Sequence, residues 1–200
     1  MIYFVRHGET DSNAHNRVHG WSDTSLNEKG ISQCERTADK TAKLKLAHFY
    51  CSDLRRTRQT AEILNKNLGM KINFDKRLRE RNSGDMEGRL RSEIPKELRE
   101  DFWANPHKYN AESFEDFFNR VLSFVREVIL AKNLDEALIV THGGTIKIFT
   151  YCYNNTEWNK DEFFKQFPFK SVADNASVTE LAPAGFQHWN EPAINNGVSQ

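Results

Sequence analysis

Two short apolar runs from distant parts of the chain each end in a histidine followed by a glycine. Residues 2–5 lead into His7, and residues 137–141 lead into His142. Runs of this length and composition predict buried strands. The carboxyl ends of parallel strands meet at one edge of an open α/β sheet, which is where ligands bind in such folds. The sequence therefore predicts that His7 and His142 face one another in a crevice above a sheet.

Helical patterns separate these runs. After Asn27, apolar residues recur at steps of three and four, the period of a helix with one buried face: Ile31, Cys34, Ala38 and Ala42. Residues 113–131 give the clearest helical pattern, and Ser113 followed by Asp116 resembles a capping box at its start. A further helix is predicted over residues 145–153.

Three more short runs, at residues 48–51, 72–74 and 177–181, also predict strands, whereas the polar stretch 78–88 predicts a loop. Strands that alternate with helices indicate a sheet covered on both faces. We therefore expect an α/β fold: a three-layer sandwich with a mostly parallel central sheet, helices on both faces and right-handed crossovers.

The length of 200 residues suits one globular domain, which we place at residues 1–181. Within it, residues 89–112 follow the polar loop and are a candidate lid over the crevice. From Ala182 onward the chain is rich in Pro, Gly and Asn and shows no periodicity. Residues 182–200 are therefore predicted to form a loosely held tail.

The charge balance excludes a strong general attraction to nucleic acid or to anionic membranes. Lys and Arg total 28, Asp and Glu total 28, and the formal net charge is +0. The N-terminal residues do not resemble a secretory signal, and no apolar run approaches the ~20 residues of a membrane span. The three cysteines form no C-x-x-C pair, which favours free thiols in a reducing compartment. We expect a cytoplasmic protein, monomer or homodimer, without nucleic-acid or membrane partners.

Five motifs occur in a fixed order along residues 1–181. They are Arg6-His7-Gly8-Glu9-Thr10 with Asn13; Gly20-Trp21 with Asp23, Leu26 and Gly30; Ser52-Asp53-Leu54 with Arg56-Thr57 and Gln59-Thr60-Ala61; Leu78-Arg79-Glu80 with Gly84-Asp85 and Glu87-Gly88; and Val140-Thr141-His142-Gly143-Gly144. This set resembles the signature of the histidine phosphatase superfamily, which includes the cofactor-dependent phosphoglycerate mutases and fructose-2,6-bisphosphatase. The resemblance implies a phosphoglycerate mutase-like fold and an enzyme that acts on small phosphorylated metabolites without a cofactor.

The resemblance also implies roles for particular residues. His7 would be the nucleophile and Glu80 the general acid and base, with Arg6, Arg56 and His142 completing the catalytic set. Four more residues would contact the substrate: Asn13, His19, Gly20 and Gly143.

These roles are chemically reasonable. A phosphoryl group in transfer carries negative charge on its equatorial oxygens, so it needs fixed cationic or N–H donors. Arg6 and Arg56 each offer a planar fork of such donors, and a protonated His142 would add another. A neutral imidazole such as His7 is an adequate nucleophile near pH 7. A backbone carbonyl in its own turn is the expected acceptor for its second ring nitrogen.

A metal site is an alternative for His7, His19, Glu80 and His142, because imidazole and carboxylate bind zinc well. However, their spacing matches no compact ligand motif, and neighbouring arginines would repel a divalent cation. A catalytically silent phosphate-binding relative is a second alternative. All five residues of the implied catalytic set are present, which argues against it.

The resemblance leaves mutase and phosphatase activities open. Mutases in the family usually carry a long insertion with an adjacent arginine pair after the acid loop. Here residues 89–110 are short and lack such a pair, and residues 85–88 match the style of the small phosphatases. We therefore expect a phosphatase of the small branch. Aromatic residues in the candidate lid, Phe102, Trp103 and Tyr109, suit either packing or an apolar leaving group. The physiological substrate stays open.

Overall fold

In the computed structural model, which describes residues 1–166 and 174–189, one sheet of five strands lies at the centre. The strands are β1 (Ile2–Arg6), β2 (His48–Cys51), β3 (Ile72–Phe74), β4 (Ala137–Thr141) and β5 (Val178–Leu181). Their order across the sheet is β3-β2-β4-β1-β5. The first four are mutually parallel, and β5 pairs antiparallel with β1. The predicted mostly parallel sheet is confirmed.

Helices surround the sheet. They are α1 (Asp11–Ala14), α2 (Glu28–Thr41), α3 (Arg55–Asn65), α4 (Lys96–Ala104), α5 (Phe114–Phe124), α6 (Gly143–Asn154) and α7 (Lys160–Gln166). Helix α5 continues through a π-helical stretch, Val125–Leu130. Five shorter segments are 3₁₀-helical: Lys76–Leu78, Gly84–Met86, Arg91–Glu93, Pro106–Tyr109 and Pro183–Trp189. No helix among the described residues is long and apolar enough to cross a membrane.

Alternation of side chains along the strands divides the core between the two faces of the sheet. Phe4 and Ile139 belong to a large cluster built with residues of α5 and α6. Their neighbours Val5 and Val140 belong to a second cluster, with Ala61 of α3. Successive residues of a strand point to opposite faces, so one short apolar run serves both clusters. The predicted three layers follow from this arrangement.

Helix α2 forms where its periodicity predicts, but the buried face differs from the prediction. Ile31 is 41% exposed, and Ala42 lies just past the helix end. Gly30 is buried against the backbone of Glu9. The approach is so close that a Cβ at this position would lie 2.1 Å from the Glu9 carbonyl oxygen. The close approach at Gly30 sets the rotation of the helix, and the face carrying Cys34 and Ala38 turns inward.

The beginning of the predicted tail is part of the core, so that prediction is wrong for residues 183–189. Phe186 is fully buried and Trp189 is 6% exposed. The Trp189 indole donates to the Cys152 carbonyl oxygen at 2.7 Å, and Arg126 donates to the Trp189 carbonyl oxygen. Two aromatic residues three positions apart meet the core from one side of a 3₁₀-helix. Residues 190–200 of the predicted tail lie outside the described residues.

The candidate lid, residues 89–112, packs on a small cluster of its own. Phe102 and Ala111 are buried there with Val18 and Met86. The loop predicted at residues 78–88 lies beside it and contains only the 3₁₀ turn Gly84–Met86 and the end of another. These two segments form one wall of a cavity at the carboxyl ends of the strands.

Candidate active site

The two histidines predicted from the strand ends lie together. His7 follows β1, and His142 follows the adjacent parallel strand β4; their ring centroids are 5.2 Å apart. The His7 amide donates to the Thr141 carbonyl oxygen at 3.0 Å, which ties the two strand ends to each other. Sheet topology thus places both imidazoles at one edge.

Hydrogen bonds define the state of the His7 ring. Its Nδ1 lies 2.7 Å from the Gly8 carbonyl oxygen, so Nδ1 carries the proton and donates it. The other nitrogen, Nε2, accepts a hydrogen bond from Nε of Arg56 at 3.3 Å. The expected backbone acceptor in the same turn is therefore present. Nε2 keeps a lone pair, which is what a nucleophile requires.

Burial and neighbouring cations keep this ring neutral. Desolvation, followed by the charges of Arg56 and Arg6, holds the pKa of His7 well below its ordinary value of 6.5. Desolvation also holds the pKa of His142 well below 6.5, and the charge of Arg56 adds to the effect. His142 is therefore neutral here, which differs from the expectation of a protonated ring. Its Nε2 lies 2.8 Å from Oγ of Ser52, and the buried Nδ1 has no hydrogen-bond partner among the described residues.

Arg56 is the most completely fixed cation of the site. Its side chain on α3 is 0% exposed, although the adjacent Arg55 is exposed. Its Nη1 and Nη2 donate to the carbonyl oxygens of Ser22 and Gly20, each at 2.8 Å. With Nη1 and Nη2 held in this way, the edge of the guanidinium that carries Nε faces His7. Desolvation lowers the pKa of Arg56 to about 10, so it stays charged at neutral pH.

The predicted acid, Glu80, lines the same cavity as Arg6 and His7. Its Oε1 accepts from the Arg81 amide at 3.0 Å, and its Oε2 accepts from the Gly144 amide at 2.9 Å. A Cβ at Gly144 would lie 2.2 Å from Oε1, so only glycine permits this approach. Two backbone amides thus hold the Glu80 carboxylate at the wall of the cavity.

Glu87, a second carboxylate of the same motif as Glu80, has a different function in the structure. Its oxygens accept from the Trp21 amide at 2.7 Å, the Ser22 hydroxyl at 2.7 Å and the Ser83 amide at 3.1 Å. It fixes the loop that supplies carbonyl oxygens to Arg56. Glu87 therefore stabilises the site without lining the cavity, as far as the described residues show.

An internal ion pair holds the backbone of the acid loop. Arg120 of α5 bonds both carboxylate oxygens of Glu112, at 2.7 and 2.8 Å. The same guanidinium donates to the carbonyl oxygens of Arg77, Arg79 and Glu80 at 2.8, 3.0 and 3.1 Å. A planar fork that satisfies several carbonyls at once fixes their relative positions. We call Glu112 and Arg120 the acid-loop clamp.

The structure brings together all four residues predicted to contact substrate. Asn13, His19, Gly20 and Gly143 all line the cavity. The Asn13 Oδ1 accepts from the Thr10 amide and from the Asn175 side chain, which leaves its amide nitrogen for a ligand. Gly20, with φ of 53°, holds Arg56 through its carbonyl oxygen.

His19 is a neutral residue within the site. Its Nε2 lies 2.6 Å from Oγ1 of Thr10, and its ring centroid is 6.1 Å from that of His7. Desolvation, with the charges of Arg56 and Arg6, lowers the pKa of His19 to about 3.

The cavity has a volume of about 870 Å³ and walls of two kinds. Among the described residues, its charged lining consists of seven cations, including Arg6 and Arg56, and one carboxylate, Glu80. Its apolar wall includes Phe102, Trp103 and four further phenylalanines. A cavity of this size with both kinds of wall is large enough for a small organic anion.

Sequence reasoning missed several contributors. Ser52 bonds His142, Asn175 donates to the His7 carbonyl oxygen at 3.0 Å, and Gly144 receives Glu80. Ser52 and Gly144 lie inside the recognised motifs and close to the ends of strands. Their position was therefore the one signal in the sequence that could have identified them as site residues. Arg91 also lines the cavity, although no local pattern marked it.

Within residues 1–166 and 174–189, no group of three or more histidine, cysteine, aspartate or glutamate side chains is arranged to hold a metal ion. The site is built instead from imidazoles, guanidinium groups and a carboxylate around one cavity. The family model of the histidine phosphatase superfamily (branch 1) matches residues 2–196. The chain belongs to this superfamily.

Two curated relatives of the chain have phosphoglycerate mutase names. Phosphoglycerate mutase-like protein 4 of Arabidopsis thaliana is 34% identical over 155 residues, which span 73% of this chain and 67% of the relative. Probable phosphoglycerate mutase GpmB of Escherichia coli is 35% identical over 154 residues, 72% of this chain and 69% of the relative.

Solved structures place the fold in the same group. A mycobacterial glucosyl-3-phosphoglycerate phosphatase in complex with VO3 superimposes with a TM-score of 0.74, 28% identity and 88% coverage of both chains. YhfR of Bacillus stearothermophilus gives a TM-score of 0.74, 32% identity and 88% coverage of both chains. The expected phosphoglycerate mutase-like fold is confirmed.

Proposed function

We propose that the protein is a phosphomonoesterase that hydrolyses small phosphate esters through a phosphohistidine intermediate on His7, without a metal ion. The observation that carries the proposal is the pair of hydrogen bonds on the His7 ring. Gly8 fixes the proton on Nδ1, and Arg56 meets the lone pair of Nε2. The nucleophile therefore stands next to a cation that attracts the phosphoryl group.

In the first half-reaction, Arg6 and Arg56 bind the non-bridging oxygens of the ester and neutralise their charge. The amide nitrogen of Asn13 and Nδ1–H of His142 add neutral donors. Nε2 of His7 attacks phosphorus, and the bond from phosphorus to the alcohol oxygen breaks. Protonated Glu80 gives its proton to that oxygen, so a neutral alcohol leaves.

In the second half-reaction, the Glu80 carboxylate takes a proton from water while the water oxygen attacks phosphorus. The N–P bond breaks, inorganic phosphate leaves, and Nε2 recovers its lone pair. Glu80 regains the proton that it gave in the first half-reaction and His7 is neutral again, which closes the cycle. Glu80 is suited to both steps because two backbone amides hold its oxygens at the cavity wall.

Phosphoglycerate mutase is the second candidate, favoured by the names of the two curated relatives. A mutase must protect its phosphohistidine from water until the phosphate returns to a substrate. In this chain the segment after the acid loop contains one helix, α4, and two 3₁₀ turns rather than a long enclosing insertion. This supports the phosphatase reaction.

Trapping tests the proposal directly. Enzyme mixed with a radiolabelled aryl phosphate and quenched in alkali should carry acid-labile, alkali-stable label on His7, and His7→Ala should carry none and turn over no ester. Chelator should leave the rate unchanged. Label absent throughout turnover would refute the mechanism, and chelator-sensitive hydrolysis would favour a metal site.

Two further assays distinguish the alternatives. Adding 3-phosphoglycerate with its bisphosphate primer tests the mutase, and isomerisation faster than phosphate release would replace the phosphatase proposal. Absence of hydrolysis across a broad ester panel, with phosphate binding retained, would identify a non-catalytic binder instead.

A further inference from the structure

Ser52 is a fully buried residue just after β2, and no step of the proposed mechanism uses it. Its hydroxyl oxygen lies 2.8 Å from Nε2 of His142. The hydroxyl has no other hydrogen-bond partner among the described residues. Because the Ser52 side chain bonds one ring nitrogen alone, any effect of its hydroxyl on the site must act through His142.

The backbone of Ser52 is fixed on both sides. Strand β2 pairs in parallel with β4, and the Ser52 amide donates to the Val140 carbonyl oxygen at 2.9 Å. The Ser52 carbonyl oxygen accepts from the Thr57 hydroxyl at 2.9 Å. Strand β4 ends just before His142, so β2 places Ser52 beside this ring in the same way that β1 places His7.

The number of protons in the pair decides the direction of its hydrogen bond. A serine hydroxyl has one proton, and a buried donor without an acceptor is costly. If Nε2 of His142 carried a proton and donated it, the proton of the Ser52 hydroxyl would have no acceptor among the described residues. If Ser52 donates, Nε2 accepts with its lone pair and both groups are satisfied. The Ser52 hydroxyl is therefore the donor.

This direction determines which nitrogen of His142 carries the ring proton. Burial holds the pKa of His142 well below its ordinary value of 6.5, so the ring has a single N–H proton. Since Nε2 accepts, that proton lies on Nδ1. Nδ1 is buried and has no hydrogen-bond partner among the described residues. A buried N–H of this kind needs an acceptor from a ligand or a water molecule.

The position of the ring indicates which ligand supplies that acceptor. The His142 ring centroid lies 5.2 Å from that of His7, which receives the phosphoryl group in the proposed mechanism. The two residues that follow, Gly143 and Gly144, line the cavity. A phosphoryl oxygen accepts from an N–H but is repelled by the lone pair of a bare ring nitrogen. A neutral His142 can therefore stabilise the phosphoryl group only with its proton on Nδ1.

We propose that Ser52 is a positioning residue for phosphoryl transfer: its hydroxyl sets the tautomer of His142, and the ring then donates from Nδ1 to an oxygen of the transferred group. This inference rests on the proposed function for the identity of that group. Opposite contacts thus give the two histidines opposite tasks. An acceptor, the Gly8 carbonyl oxygen, leaves His7 with a lone pair on Nε2, whereas a donor, the Ser52 hydroxyl, leaves His142 with an N–H.

Nuclear magnetic resonance of protein labelled with ¹⁵N-histidine tests the tautomer directly, because protonated and bare ring nitrogens resonate far apart. His142→Gln identifies the signals of this ring. In the resting wild type at neutral pH, Nδ1 of His142 should be protonated and Nε2 bare. Saturating inorganic phosphate should shift the resonance of the Nδ1–H proton and leave the tautomer unchanged.

Substitutions of Ser52 test the consequence for catalysis. Ser52→Ala removes the donor, so His142 should populate both tautomers, and kcat for aryl phosphates should fall by about tenfold to 10², at or below the loss of one preorganised donor. Ser52→Thr keeps a hydroxyl and should retain the Nδ1–H tautomer and most of the rate. Thr41→Val removes another fully buried hydroxyl, on α2, and is the matched control. It should change neither the tautomer nor kcat.

A double-mutant cycle separates positioning from a general structural role. If Ser52 acts through His142, then Ser52→Ala should cost less than about twofold in kcat when it is added to His142→Gln. A hydroxyl that only stabilised the fold would cost the same factor in both backgrounds.

Three results would overturn the inference: a wild-type His142 with its proton on Nε2, an Nδ1–H tautomer that persists unchanged in Ser52→Ala, or an equal cost of Ser52→Ala in the two backgrounds. The wild-type spectrum decides the tautomer even if Ser52→Ala does not fold. Because that spectrum is recorded without turnover, failure here is distinct from failure of the phosphohistidine mechanism, which the trapping experiment decides.

Discussion

The cavity has two parts that hold their cations differently. In the strand-end part, formed by Arg6, His7 and Arg56, all three nitrogens of the Arg56 side chain have hydrogen-bond acceptors. In the lid part, formed by Arg81, Arg91 and the aromatic rings around them, only Nε of Arg81 has one among the described residues. Hydrogen bonds hold the cation of the first part, whereas aromatic rings hold most of the cation of the second part.

Packing separates the two parts as well. The strand-end part stands on the sheet and on α3, whose buried residues belong to a main core cluster. The lid part rests on the small cluster of Phe102, Met86 and their neighbours. Chemistry placed on rigid elements and specificity placed on connecting segments is a common division in enzymes. Substitutions in the two parts should therefore have separable effects.

Arg56→Ala should give the largest loss and affect all esters alike. Loss of one preorganised donor to a developing charge costs about 10²–10³ in kcat, and Arg56 also orients Nε2 of His7. Steady-state kinetics on aryl and alkyl phosphates should show a similar fall for both. Arg55→Ala, one residue away and exposed, is the control and should stay within about twofold. A loss confined to one class of ester would show that Arg56 reads the alcohol, which would break the comparison.

Glu80→Gln should give the next largest effect and depend on the leaving group. General acid catalysis contributes about 10²–10⁴, so alkyl phosphates should slow by about 10² or more. Aryl phosphates, whose leaving groups need little protonation, should slow by less than about tenfold. Glu87→Gln is the matched control: it should lower stability without changing the ratio of the two rates. Equal losses on both classes would remove the acid role from Glu80.

Sequence predicted the strand-end part well. His7 and His142 were recognisable because each follows an apolar run, and parallel pairing then brings the runs together. The neutral state of His142 was not predictable, since it follows from complete burial beside Arg56. The rotation of α2 was missed for a similar reason, because a single close contact at Gly30 outweighs apolar periodicity.

The lid part was much less predictable. Residues 89–110 contain no adjacent arginine pair, as the sequence analysis states. Single arginines nevertheless line the cavity from this segment and from the acid loop. Arg81 and Arg91 lie apart in sequence and line one cavity through tertiary packing. The cage around Arg81 combines rings from α4 and α5, which no local spacing reveals.

The acid-loop clamp connects the two parts, and Arg120→Met should give a smaller effect than loss of Glu80. Removing one partner of a largely buried ion pair destabilises a protein by about 3–5 kcal/mol. In the protein that stays folded, kcat for alkyl phosphates should fall about tenfold with KM little changed, since a displaced acid weakens proton transfer. Aryl phosphates should be nearly unaffected.

Glu115→Gln, on the exposed side of the same helix, is the control for the clamp. Glu112→Gln should reproduce the effect of Arg120→Met, since both disrupt the same pair. If Arg120→Met lowered stability but left the ratio of alkyl to aryl rates at its wild-type value, the clamp would be purely structural and would not position Glu80.

The smallest effect concerns the pH dependence of stability. The folded pKa of His19, about 3, lies below the unfolded value of 6.5, so the unfolded chain takes up a proton that the folded protein excludes. Stability from His19 is present above pH 6.5 and is lost as pH falls toward 3. Between pH 7 and pH 6 the loss is about 0.7 kcal/mol, a roughly threefold change in the unfolding equilibrium constant.

His7 and His142 shift in the same direction and add similar losses. Urea unfolding at pH 7 and pH 6 should therefore show a decrease in stability for the wild type that His19→Gln reduces by about a third. An unchanged pH dependence in His19→Gln would mean that His19 has the same pKa in the folded and the unfolded protein, and the assignment of a neutral His19 would be wrong.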